Sequence, residues 1–221
     1  MKNNKRVTLF SGHYGSGKTN VAVNYALSLR TSGQEVLIAD LDIVNPYFRT
    51  EDSRVRLEQA GIRLICSAYA NTNLDIPALP QDLYAVTDDK GSRAIVDVGG
   101  DDRGALALGR IAPALLEEND YEMLMVVNCY RPLTPDAPST IEVMREIETA
   151  GKIKFTGIVN NSNLGNETTA LDVLNSVPYA EEIARETGLP ILFTSVHWSL
   201  QGELEGKIEN LFPLDLQKKI C

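Results

Sequence analysis

The stretch FSGHYGSGKTN, Phe10 to Asn20, decides how the rest of the chain is interpreted. It matches the phosphate-binding pattern G-x-x-x-x-G-K-[ST] between Gly12 and Thr19, after the apolar run RVTLF and before an amphipathic segment that ends at Gly33. Glycine adopts positive φ angles at little cost and lets an anion approach the backbone, so the pattern predicts a turn whose N–H groups face a phosphate. A histidine, His13, stands at its second position.

Two side chains at the end of this stretch would carry its chemistry. Lys18 is expected to contact the β- and γ-phosphates of a nucleotide, and Thr19 to give its hydroxyl to Mg²⁺. A glycine-rich turn that matches by chance is the alternative, which the flanking strand and helix patterns disfavour. The predicted nucleotide-contacting residues here are Gly12, His13, Tyr14, Gly15, Ser16, Gly17, Lys18, Thr19 and Asn20.

The composition narrows the class of protein. The chain has 221 residues, of which 43% are hydrophobic, and we predict a single domain over 1–221. A net charge of -9 disfavours binding to nucleic acid or to an anionic membrane, because neutralising phosphates needs a surplus of Lys and Arg. The 3 cysteines form no CxxC motif, so a reducing cytoplasm is expected. The apolar start breaks too soon for a signal peptide, and no apolar segment approaches the about 20 residues of a membrane-spanning helix.

Short apolar runs rich in β-branched residues alternate with helical patterns along most of the chain. Such runs are typical of strands buried on both faces, and the alternation predicts a three-layer α/β fold with a mostly parallel sheet between helices. The glycine pattern at Gly12–Thr19 makes the P-loop type the expected version of this fold. Ligands of such sheets bind beyond the carboxyl ends of the strands. The segment 68–90 lacks a clear period and is expected to be an irregular insertion or a short helix pair. The predicted strands are 6–10, 35–41, 62–68, 93–99, 121–128, 154–160 and 190–196.

Acidic residues stand at two further strand ends. In LIADLD, alternation places Asp40 and Asp42 on one face, where one would hold Mg²⁺ through water and the other would orient an attacking water. A solvated loop start is the alternative for this pair. In RAIVDVGGDD, Asp97 ends a strand where a metal's outer shell would lie, and the N–H of Gly100 would reach a γ-phosphate. Together, the phosphate-binding pattern and these two strand ends predict catalytic roles for Lys18, Asp42 and Asp97. They predict metal-binding roles for Thr19, Asp42 and Asp97.

Together these motifs resemble the MinD/ParA/nitrogenase-iron-protein group of P-loop ATPases, which includes cobyrinic acid diamide synthase-like domains. The resemblance continues into GIVNNSN, 157–163, and implies that Asn161, with Asn160 beside it, contacts adenine. It also implies that the 195–197 segment packs near the base. The chain has no N-K-x-D sequence, which favours ATP over GTP.

Two departures from that group concern its mechanism. The group usually carries a lysine where His13 stands, and that lysine reaches the phosphates of a partner subunit. A neutral imidazole has less charge and a shorter reach, so dimer-coupled hydrolysis is in question and a homodimer stays one option. The iron protein's cluster cysteine has no counterpart near Gly104, so no iron-sulfur cluster is expected.

Two arginines lie on the side of the sheet where ligands would bind. Arg49, in NPYFRT, would stabilise γ-phosphate charge or simply pair with Glu51 or Asp52. Arg131, in NCYRPLTPDAP, would meet an acidic substrate or pair with the protein's own carboxylates.

Three functions fit these motifs. The first is a Mg²⁺-dependent ATP-binding protein and slow ATPase whose nucleotide state switches its surface for a partner protein. The second is a carboxylate-activating ligase or kinase similar to dethiobiotin synthetase, with an acceptor site built by 68–90 and Arg131. The third is a sensor that binds ATP without hydrolysing it, in which His13 marks lost activity.

Overall fold

A parallel sheet of eight strands organises the chain in a computed structural model that describes residues 5–42, 50–66, 81–100 and 102–216. The strands are β1 (Val7–Ser11), β2 (Val36–Leu41), β3 (Arg63–Ile65), β4 (Arg93–Val98), β5 (Tyr121–Val127), β6 (Gly157–Asn160), β7 (Ile191–His197) and β8 (Leu211–Leu214). The helices are α1 (Lys18–Thr31), α2 (Arg54–Gln59), α3 (Ala85–Asp88), α4 (Asp102–Glu118), α5 (Ala137–Gly151), α6 (Ala170–Thr187) and α7 (Gln201–Leu204).

Helices cover both faces of this sheet, because successive strand side chains point to opposite sides. Val7 and Leu9 of β1 pack in a core with α4, α5 and α6, whereas Phe10 packs in a second core with α1 and α2. Strands buried on both faces are apolar throughout, which is why they read as continuous runs in the sequence. The predicted three-layer α/β fold is confirmed.

The strand order, β3-β2-β4-β1-β5-β6-β7-β8, places β1 between β4 and β5. Phe10 is in register with Asp97 of β4, and Ser11 with Met125 of β5. The carboxyl ends of parallel strands meet at one edge, so the loop after β1 lies between the loops after β4 and β5. The phosphate-binding pattern therefore sits at the centre of the edge where α/β sheets bind ligands.

The predicted strands are all present, and β8 is an addition to them. Leu211–Leu214 pairs with β7 at the margin of the sheet, where Pro213 is tolerated because an edge strand needs fewer backbone donors. Within the 68–90 insertion, residues 68–80 lie outside the described chain, and the described remainder contains a 3₁₀ turn followed by α3. No helix in the described ranges has the length and apolar character needed to cross a membrane.

Candidate nucleotide site

The loop between β1 and α1 has the backbone that the sequence predicts for a phosphate site. Gly15 and Gly17 have φ angles of 78° and 87°, in the left-handed region that favours glycine. The N–H of Ser16 donates to the carbonyl of His13 at 3.0 Å and closes the turn. A Cβ at Gly12 would lie 2.4 Å from the carbonyl oxygen of Val126, so the loop packs directly on β5. The helix that follows presents its first N–H groups to the loop, as anion sites at helix N-termini do.

Lys18, the first residue of α1, is paired with Asp42. Its ammonium nitrogen lies 3.0 Å from Oδ2 of Asp42, and both side chains are almost fully buried. Burial alone would lower the pKa of Lys18, but the charges of Asp42 and Asp97 outweigh it and hold that pKa above its ordinary value. The lysine is therefore a cation held at the mouth of the loop by the strand end of β2.

Asp97, in β4, is the most deeply buried acid of the site. Burial raises the pKa of Asp97 to about 6; the Lys18 charge opposes this, the Asp42 charge adds to it, and the hydroxyls of Thr19 and Thr50 oppose it. Thr50 donates to Oδ2 of Asp97 at 3.0 Å, whereas no hydrogen bond of good geometry reaches the buried Oδ1 from the described residues. A buried carboxylate oxygen without a partner is costly unless a ligand satisfies it.

These oxygens form a donor set that suits Mg²⁺, which prefers hard oxygen ligands and usually retains water and phosphate oxygens. The hydroxyl of Thr19 lies close enough to Asp97 to lower the pKa of that carboxyl group. Asp42 joins the cluster through its ion pair with Lys18. The buried hydroxyls of Ser11 and Ser16 likewise find no hydrogen-bond partner in the part of the chain that the structure describes. The residues present therefore fit a metal-bound polyphosphate.

Asp40 has a different position from Asp42. Its carboxylate oxygen accepts the backbone N–H of Asp42 at 2.9 Å, within a buried strand end. This contact fixes the chain as it leaves β2. Asp40 therefore shapes the strand end from which Asp42 reaches Lys18.

The loop after β4 touches the phosphate loop. A Cβ at Gly100 would lie 2.2 Å from the carbonyl oxygen of Gly12 and 3.0 Å from the backbone nitrogen of Tyr14. The two loops are thus in backbone contact, and only glycine fits between them without a shift. The neighbouring Asp101 lies outside the described residues, as does the 43–49 segment with Arg49.

Asn161 connects the loop after β6 to the phosphate loop. Its amide nitrogen donates to the carbonyl of Ser16 at 2.6 Å, and its amide oxygen accepts from the Ser195 hydroxyl at 2.5 Å. A Cβ at Gly17 would lie 2.3 Å from that amide nitrogen. Both ends of the Asn161 amide are therefore engaged within the protein. The structure does not bring the side chain of Asn160 to the same place, since it donates to Ser176 at 2.9 Å beneath α6.

A small pocket opens beside Asn161, between the loop that follows β6 and the end of β7. Asn163 lines it and is held by a 3.1 Å bond from the N–H of Gly165 to its amide oxygen. The other lining residues include Ser195 and His197 of the predicted base-proximal segment. Asn163 was missed in the sequence, although it stands two residues beyond Asn161 in the same asparagine-rich run.

Thr50 was also missed, because it follows a segment with no regular pattern. Its contact with Asp97 joins residues 47 positions apart in the chain. Only the fold brings the two together. A threonine shortly after the Asp40–Asp42 strand end was the one available signal.

His13 and Arg131 flank the loop on its outer side. The imidazole Nδ1 of His13 lies 2.8 Å from the carbonyl of Tyr14, so it donates there and leaves Nε2 as the outward nitrogen. Arg131 packs its side chain against Gly15, where a Cβ would lie 3.6 Å from its Cδ. The ion pair expected between Arg131 and the protein's own carboxylates is absent among the described residues. Asn20 lies further along α1, and its backbone carbonyl accepts a hydrogen bond from the side-chain amide of Asn24 at 2.8 Å.

Comparison with solved structures supports the fold. The chloroplast FtsY of Physcomitrella patens matches with a TM-score of 0.60 and 18% identity over 88% of this chain and 59% of that one. The cell division protein FtsY of Thermotoga maritima matches with a TM-score of 0.57 and 19% identity, over 89% of this chain and 63% of that one. The signal recognition particle receptor FtsY of Elizabethkingia anophelis was solved in complex with GDP. It matches with a TM-score of 0.53 and 14% identity, over 89% of this chain and 58% of that one.

These similarities show a shared P-loop α/β fold. The chain spans about three fifths of the length of the FtsY chains that it matches. No family model and no curated protein matches the sequence. Membership of the MinD/ParA/nitrogenase-iron-protein group stays a prediction.

Proposed function

We propose that this chain is a Mg²⁺-dependent ATP-binding protein and slow ATPase whose nucleotide state controls its contact with a partner protein. The observation that carries the proposal is the convergence of Lys18, Asp42 and Asp97 at the mouth of a phosphate loop. The start of α1 and the ends of β2 and β4 supply these groups in one buried cluster. A cation held by two carboxylates is poised to exchange one of them for a phosphate oxygen.

The chemistry follows from that exchange. A nucleotide whose phosphates enter the loop offers Lys18 an anion with more charge than Asp42, and the ammonium then moves to the β- and γ-phosphates. Asp42 is released by this movement, and its carboxylate accepts a hydrogen bond from the water that attacks the γ-phosphate. Mg²⁺, bound through Thr19 and the outer-shell Asp97, would neutralise charge on the phosphates.

The pocket beside Asn161 supports the choice of base. Its lining includes Asn163 and, from the end of β7, Ser195 and His197, whose polar groups suit the edge of a base. The chain has Asn163 where an acidic side chain would favour guanine's amino groups. Because one similar structure contains GDP, GTP is the competitor that any test must include.

A partner surface is the remaining part of the proposal. Tyr14, Leu133 and Trp198 are 56%, 65% and 60% exposed, and each follows a strand at the edge that holds the site. A contiguous apolar patch beside a ligand site marks an interaction surface, and these three side chains are the candidates for one. Light scattering with and without a non-hydrolysable ATP analogue separates a nucleotide-dependent homodimer from a partner of another kind.

Calorimetry with Mg²⁺ and ATP, GTP or ADP tests the central proposal. The wild-type chain should bind ATP more tightly than GTP, and Lys18→Ala should lose about 100-fold or more in ATP affinity, since a buried charge-assisted contact disappears. Lys18→Arg keeps the charge and guards against a folding defect in the alanine variant. Lys207→Ala, at an exposed position, is the matched control. Wild-type protein that binds no nucleotide would refute the proposal, and tighter GTP binding would replace ATP by GTP.

A further inference from the structure

The turn after β5 holds Arg131 in a fixed position beside the phosphate loop. The carbonyl of Asn128 accepts the N–H of Arg131 at 3.3 Å, and its side-chain oxygen accepts the N–H of Tyr130 at 3.0 Å. The hydroxyl of Tyr130 donates to the carbonyl of Asp172 at 2.8 Å and ties the turn to α6. The backbone that carries Arg131 is therefore braced by Asn128, itself fully buried.

From this turn the side chain of Arg131 covers Gly15. A Cβ at Gly15 would lie 3.6 Å from Cδ and 3.7 Å from Nε of the arginine. Gly15 belongs to the turn between His13 and Ser16 whose N–H groups would receive phosphate. The guanidinium group thus lies at the rim of the loop.

No carboxylate of the described residues forms an ion pair with this guanidinium group. Its Nε is buried without a hydrogen-bond partner, and no ion pair or hydrogen bond holds the group within the described ranges. Buried donors are almost always satisfied, so this one calls for a ligand. An arginine with free donors is suited to an oxyanion, since its planar fork matches phosphate geometry.

The charges of the site also favour a second cation. Lys18 faces the carboxylates of Asp42 and Asp97, which offset its charge before any nucleotide arrives. The imidazole of His13 is turned toward its own loop by its bond to Tyr14. With these carboxylates beside it, Lys18 brings little net positive charge to a triphosphate, and a second cation at the loop would add to it.

We propose that Arg131 contacts the terminal phosphate of the bound nucleoside triphosphate, from within the same chain, and so distinguishes the triphosphate from the diphosphate. This assignment rests on the proposed nucleotide-binding function. It gives the site its second cation in cis, so that stabilising the γ-phosphate does not require a side chain from another subunit.

The test compares Arg131→Ala, Arg131→Lys and the control Arg110→Ala, whose arginine is exposed on α4. Calorimetry with Mg²⁺ measures affinity for ADP and for the non-hydrolysable analogue AMP-PNP. Arg131→Ala should lose about 10- to 100-fold in AMP-PNP affinity and less than about threefold in ADP affinity, as expected for one charge-assisted contact to the γ-phosphate. Arg131→Lys should recover part of the loss, and Arg110→Ala should match the wild type.

Other outcomes separate the alternatives. Unchanged AMP-PNP affinity in Arg131→Ala, or equal losses for AMP-PNP and ADP, overturns the assignment while leaving nucleotide binding intact. If only stimulation by an added carboxylate metabolite is lost, Arg131 serves an acceptor and the assignment again falls. If the wild-type chain binds neither nucleotide, the proposed function fails first. Thermal unfolding of the nucleotide-free variants checks for a folding defect. None is expected, because the Arg131 side chain has no ion pair or hydrogen bond within the described ranges.

Discussion

Asp97 is a buried acid whose position is unfavourable for the nucleotide-free protein. Its carboxyl group is fully buried, one oxygen has no partner, and its pKa is raised to about 6. The ordinary value is 3.8, so the folded chain holds a proton more tightly than the unfolded chain between those two values. The contribution of this group to the free energy of unfolding is therefore fully present below its unfolded pKa, and it is lost as the pH rises through about 6.

We therefore expect Asp97→Asn to stabilise the nucleotide-free protein at pH 7. An asparagine retains the acceptor for Thr50 without the cost of a buried charge, which is on the order of 2 kcal/mol. Thermal unfolding should show a midpoint about 4 to 8 °C above that of the wild type at pH 7, and the difference should shrink below pH 4. ATP hydrolysis should fall at least about tenfold in the same variant.

The exposed position Asp88 provides a control for this residue-scale prediction, since Asp88→Asn removes the same charge from the surface. That variant should leave both the midpoint and hydrolysis close to the wild type. A destabilised Asp97→Asn protein at pH 7 would mean that attraction between Asp97 and Lys18 exceeds the cost of burying the carboxylate.

The loops after β1 and β4 are in close backbone contact, so they are sensitive to the size of the residue between them. Gly100 separates them, with the carbonyl of Gly12 only 2.2 Å from where a Cβ would be. Because the opposing atoms belong to the backbone, a methyl group cannot be accommodated by rotation of a side chain. The phosphate loop itself must move.

We expect Gly100→Ala to lower nucleotide affinity by about tenfold or more and the free energy of unfolding by about 1–3 kcal/mol, as overpacking does. Calorimetry and chemical denaturation measure the two effects. Gly202→Ala is the matched control, because a Cβ at Gly202 meets no atom within 4 Å. Unchanged nucleotide affinity in Gly100→Ala would show that contact between these loops does not set the geometry of the site.

Across the whole molecule, the sequence predicted what depends on local pattern and missed what depends on long-range contact. Apolar runs located seven of the strands in order, and the glycine pattern located the loop between β1 and α1. β8 escaped because Leu211–Leu214 is short, contains Pro213 and gains its hydrogen bonds only from β7. Thr50 escaped for the same reason, since its partner Asp97 is distant in the chain.

The two edges of the sheet differ in how their charges are satisfied. At the carboxyl edge, Asp97 and Arg131 retain polar atoms without partners. At the amino edge, Arg6 donates to the carbonyls of Val86 and Asp89 at 2.9 Å and to the carboxylate of Glu118. The charged groups at the amino edge are thus paired with one another, whereas the proposed nucleotide site at the carboxyl edge retains unpaired polar atoms.

This division predicts that Glu118→Gln destabilises the protein without weakening nucleotide binding. The bonds from Arg6 and Lys90 lower the pKa of Glu118 to about 2 from 4.5, so the carboxylate contributes stability that is present above pH 4.5 and lost as the pH falls through 2. Glutamine loses one charge-assisted contact, and the free energy of unfolding at pH 7 should fall by about 1–3 kcal/mol. Denaturant titrations from pH 7 to pH 3 should show the deficit narrowing with acidity, while ATP affinity at pH 7 stays within about twofold of the wild type. A parallel loss of ATP affinity would show instead that the two edges are energetically coupled through β1, which begins beside Arg6 and ends at the phosphate loop.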